Sequence, residues 1–83
     1  MSHVENVRIL KIKAECHKLM DAIFGKEKRG RALAYNFLHK NTRIEHFATC
    51  RDYASLFDAR KKLQAEGMRR ELFTVEELSD FTV

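Results

Sequence analysis

Proline is absent from this chain, and glycine occurs three times in 83 residues. An all-β domain needs turn residues every few positions, so this scarcity argues against a sandwich or barrel. It suits a few helices with short connections. Two cysteines are too few for a disulfide framework, and reduced thiols of a cytosolic protein are the expectation. No apolar run approaches the roughly 18 residues of a membrane span. The first apolar stretch is interrupted by Arg8, Lys11 and Lys13, so it does not read as a secretory signal.

What is present is a hydrophobic share of 45%, enough to fold. The length fits one domain with a modest core, residues 1–83. Support for so small a core comes from a metal, a dimer interface or regular helix packing. A dimer is therefore possible.

Hydrophobic periodicity gives an all-α fold, a three-helix bundle with a short C-terminal helix. Ser2-His3-Val4-Glu5 has the form of a capping box. Ile9, Ile12, Cys16, Leu19 and Ile23 then follow at alternating steps of three and four, one helical face. Gly25 is a natural left-handed stop, so helix 1 is expected at about residues 3–24. Leu33, Ala34, Phe37 and Leu38 mark a helix at about residues 29–40, with Asn41 as a left-handed cap. Thr49 to Asp52 reads as a second capping box opening a helix over about residues 50–66, with Gly67 ending it. Thr74 to Glu77 reads as a third, for a helix at about residues 75–80. The expected core is Ile9, Ile12, Cys16, Leu19, Ile23, Leu33, Phe37, Leu38, Phe47, Tyr53, Leu56, Phe57 and Leu63.

Cys16, His17, His46 and Cys50 are the candidate metal ligands. Zinc takes four ligands, usually as two close pairs. Cys16 and His17 are neighbours, and neighbours on a helix point about 100° apart. With Thr49 as a cap, His46 falls outside the helix and its four-residue register with Cys50 is lost. Core and loop-ordering roles therefore fit better, and neither a metal nor another cofactor is expected. A Cys/His nucleophile pair lacks a Gly-rich oxyanion turn, so no enzyme is expected either.

Charge points outward to a partner. Residues 26–62 hold ten Lys/Arg against four Asp/Glu, whereas residues 71–83 hold acids and no base. Lys26, Lys28, Arg29 and Arg31 form one basic cluster, and Arg60, Lys61 and Lys62 another, with Lys40 and Arg43 between. Antiparallel packing of the second and third helices would merge them into a phosphate-binding patch. A helix-turn-helix fits poorly, because residues 41–48 are longer than its usual turn and Asp52 and Asp58 share the third helix with its bases.

Glu15-Cys16-His17-Lys18, Ala34-Tyr35 with Leu38, and His46-Phe47 before Cys50 resemble a pattern found in phage-associated zinc-finger-containing proteins of unknown function. The match is to their helical region and covers about residues 14–64; their cysteine-rich ribbon has no counterpart here. The resemblance implies a phage or prophage setting and a three-helix unit standing without its metal module. The resulting expectation is a cytoplasmic accessory protein, in a bacterial host if phage-derived. It would bind DNA, RNA or a nucleic-acid-handling complex through the basic patch, without a membrane. The alternative is a non-catalytic inhibitor or adaptor of a host enzyme or defence complex.

Overall fold

The computed structural model describes residues 3–78, and over them the chain is a small all-α bundle. Helix α1 spans His3–Phe24, α2 Lys28–Asn41, α3 Tyr53–Arg69 and the short α4 Val75–Leu78. A single 3-10 turn, Phe47–Thr49, interrupts the connection from α2 to α3.

Helices α1 and α3 run parallel, and their register is visible in three cross-links. Arg8 stacks over Tyr53, Glu15 pairs with Arg60, and the Ile23 carbonyl accepts from Arg70. From Arg8 to Glu15 and from Tyr53 to Arg60 the two helices advance by the same seven residues, and the third link joins their C-terminal ends. The seam between them is the main packing surface of the fold. It is closed by Ile9, Ile12, Cys16, Leu19 and Ile23 from α1 and by Leu56, Ala59 and Leu63 from α3. Parallel neighbours need a long return, supplied by α2 and residues 42–52.

Helix α2 sits on this seam through Gly30, Ala34 and Leu38. These are four apart, so they form a narrow stripe of mostly small side chains. A Cβ on Gly30 would meet the Phe24 and Gly25 carbonyls, so glycine is what lets α2 begin so close to the end of α1. This small-residue stripe turns Leu33 outward, where it is 50% exposed rather than in the core. Phe57 is likewise outside the core, at 40% exposure, because the α3 stripe runs through its neighbour Leu56. Met20, Ala34, Ile44 and Ala59 are buried in addition to the expected residues.

The helix ends obey local chemistry, though not always the chemistry expected. Gly25 has φ 97° and ends α1 as a left-handed stop. Asn41 is not a left-handed cap. It stays helical, its side-chain amide donates to the Phe37 carbonyl, and the Thr42 hydroxyl donates to the Leu38 carbonyl. Thr49 does not open α3: it belongs to the 3-10 turn, and Asp52 is the N-cap. The chain spends those residues on seating Phe47, so the helix starts at Tyr53 rather than 50. Gly67 does not end α3 either. It is buried within the helix because the Phe73 ring lies where its Cβ would be. Termination comes at Glu71, with φ 60°. Glu71 N–H donates to the Met68 carbonyl and Leu72 N–H to the Gly67 carbonyl, a Schellman pattern. The capping box at Thr74 is present, with the Glu77 amide donating to the Thr74 hydroxyl at 3.2 Å. Ser2 and the expected helical residues 79 and 80 lie outside the described residues.

Candidate nucleic-acid interface

Cys16 is fully buried on the α1 stripe, and its Sγ donates to the Leu56 carbonyl at 3.6 Å. Burial pushes its thiol up to about 12, so at neutral pH it is a neutral core group. Both cysteines are free thiols, with Cys50 half-buried. His17 packs its ring on Phe47, centroids 5.4 Å apart, and Lys13 donates to the Ala48 carbonyl at 2.7 Å. His46 is exposed and precedes the 3-10 turn, so His46 and Cys50 share no helix. Among the described residues no three His, Cys, Asp or Glu side chains converge as a metal site.

The two basic clusters do not merge. Lys26, Lys28, Arg29 and Arg31 lie exposed at the corner between α1 and α2, with Arg31 Nε donating to the Lys26 carbonyl. Lys62 lies instead at the other end of α2, donating to the Asn41 carbonyl and pairing with Asp58 at 3.4 Å. There it offsets the negative end of the α2 dipole. Lys40 borders a cavity of about 370 Å³ on that side, together with Phe24, Leu33, Phe37 and Arg70. Arg43 faces Asp52 and Asp58.

Arg60 is not a surface cation. It is 7% exposed, its Nη1 donates to Glu15 Oε2 at 2.5 Å, and its guanidinium lies 4.9 Å from the Phe57 centroid. The sequence places it in a basic triplet near a helix end. In the structure α3 continues for two more turns, which leaves Arg60 on the seam and only Lys61 and Lys62 outside.

The same register builds a surface that sequence reading missed. Along the open side of the α1–α3 seam runs a furrow lined by Arg8, Lys11, Glu15, Tyr53, Phe57 and Arg60, with a volume of about 220 Å³. It continues past Arg8 and Tyr53 into a second hollow of about 240 Å³, reached by Arg51 and Glu5. Arg8 lies 4.1 Å from the Tyr53 centroid, and the Tyr53 and Phe57 rings are 6.2 Å apart. Lys61, one turn on from Phe57, and Lys18, two turns on from Lys11, extend the cationic rim by helix geometry. Glu15 is already paired with Arg60, and Arg8, Lys11 and Arg51 stand with Glu5 around the opening. Cations around two adjacent rings form a surface suited to phosphates and flat π-systems. The one sequence signal was Tyr53 and Phe57 four apart.

What the fold defines is a small all-α bundle, in which no helix among the described residues is long and apolar enough to cross a membrane. No family model matches the chain, and no curated protein or solved structure matches it either.

Proposed function

We propose that the protein is a non-catalytic module that binds nucleic acid, with the α1–α3 furrow as its contact surface. The observation that carries this reading is the placement of Arg8, Lys11 and Arg51 around the Tyr53 and Phe57 rings. Cations neutralise phosphates and release their counterions, so binding is strongest at low salt. The exposed Lys26–Arg31 corner and Lys61 add long-range attraction rather than a defined site. The resemblance to phage-associated proteins makes a phage accessory role in a bacterial cytoplasm part of the same proposal. Anisotropy titration of a labelled oligonucleotide tests it. Arg8→Gln with Lys11→Gln weakens binding and flattens its salt dependence; salt-independent absence of binding to DNA and RNA at low ionic strength contradicts the proposal.

A second reading, an adaptor or inhibitor of a host protein, is favoured by Val4, Val7 and Leu10. They are 66%, 48% and 63% exposed and follow one another at steps of three along α1. Partners retained after nuclease treatment, and lost from Leu10→Asp, support that reading. Partners lost on nuclease treatment alone count against it.

A further inference from the structure

We infer that the furrow takes a single strand, with a base stacked against Phe57 and the adjoining phosphates held by Arg8 and Lys11. This rests on the nucleic-acid reading above and narrows it.

Three observations select a single strand. First, Phe57 is a large aromatic left 40% exposed beside a fully buried Leu56. Its open surface borders a furrow rimmed by positive charge. Duplex bases have their faces occupied by neighbours in the stack, whereas a single strand presents them to aromatic side chains. Second, the hollows of about 220 Å³ and 240 Å³ are small and meet at Arg8 and Tyr53, a size suited to individual flat groups laid one after another. They lie between two helices instead of on a protruding one, and a groove-reading helix must protrude. Third, the rings are braced. Arg60 lies over the Phe57 ring, Arg8 stacks on Tyr53, and Glu15 holds Arg60. Little side-chain freedom remains to be lost when a base arrives.

The rim is mixed in sign, since Glu5 and Glu15 also border it. Glu15 is neutralised by Arg60. Glu5 lies at the far end, beyond Arg8, where it limits how far a polyanion extends along α1.

The absence of tryptophan and the presence of only two tyrosines give a direct readout. In a Tyr35→Phe background, Tyr53 is the sole intrinsic fluorophore. The probes are a short oligothymidylate and a blunt duplex of equal length, titrated into the full chain. The expected result is tighter binding of the single strand, with quenching of Tyr53. Phe57→Ala weakens single-strand binding about tenfold and leaves duplex binding unchanged. Phe57→Trp retains single-strand affinity and is itself quenched. Far-ultraviolet circular dichroism confirms that each variant folds. Equal affinity for duplex and single strand, with no effect of Phe57→Ala, overturns the single-strand inference while leaving nucleic-acid binding intact. Failure of both probes to bind at low salt overturns the proposed function and this inference with it.

Discussion

At the scale of single residues, the molecule turns polar side chains into internal fasteners. Glu15 and Arg60 form a nearly dry pair across the main seam, and Arg60 Nε is buried without a partner among the described residues. Such a pair adds little net stability, but removing one member strands the other charge. Glu15→Ala is expected to cost about 3 kcal/mol, measured by denaturant unfolding. Cys16 differs from Cys50 in the same physical way. Its thiol, pushed up to about 12, should resist iodoacetamide at pH 8 in the folded protein, whereas half-buried Cys50 reacts. In denaturant the two should react alike. Because the folded-state value is raised from 9.0, stability from the neutral thiol is complete below about pH 9 and declines as pH rises towards 12. The stripe Ile12–Cys16–Leu19 is visible in sequence, and it is a core stripe in the structure.

At the scale of elements, the end of α3 is where local rules were overridden. Glu66 accepts from Arg69 at 2.8 and 2.6 Å and from Arg70 at 2.7 Å, while Arg70 lies 4.8 Å from the Phe24 centroid. The Arg69 and Arg70 guanidinium groups hold the Glu66 carboxyl at about 2, below its ordinary 4.5. A lowered carboxyl stabilises the fold above about pH 4.5 and loses that contribution as pH falls towards 2. Glu66→Gln should remove this part of the acid dependence in a series of thermal melts. Just beyond, Glu71 holds a left-handed conformation that glycine adopts without a Cβ penalty. Glu71→Gly is expected to stabilise by roughly 0.5–1 kcal/mol, seen as a higher Tm. Gly67 looked like the terminator because glycine usually serves there. Its actual role depends on Phe73, six residues away and outside the helix, which no periodicity can reveal. Helix α1 was legible because one stripe fixes its phase and Gly25 ends it. The start of α3 was not, because Thr49 and Asp52 both suit a cap, and the seating of Phe47 decides between them.

At the scale of the whole molecule, the fold was legible and the furrow was not. Alternating steps of three and four identify helices, but they do not say that α1 and α3 run parallel. That register brings Arg8 to Tyr53 and Lys11 into the furrow with Phe57, joining residues about 45 positions apart. The sequence shows each as part of an ordinary charged or apolar helix face. It also makes neighbours of Arg60, Lys61 and Lys62, which the structure sends to a buried pair, the solvent and the end of α2. The basic character of the chain, a net charge of +4, is therefore spread over several faces, and the furrow sets three of its cations, Arg8, Lys11 and Arg60, beside two adjacent aromatic rings.

The most direct test is the salt dependence of oligonucleotide binding by the wild type, by Arg8→Gln/Lys11→Gln, and by a Lys26→Gln/Lys28→Gln control. For wild type, the logarithm of the binding constant should fall linearly with the logarithm of salt, with slope about −0.7 per single-strand phosphate contacted. The furrow variant should lose affinity and flatten that slope by about 1–2, while the corner control changes affinity and slope much less. Unchanged binding by the furrow variant, or a loss confined to the corner control, would contradict the furrow as the binding surface.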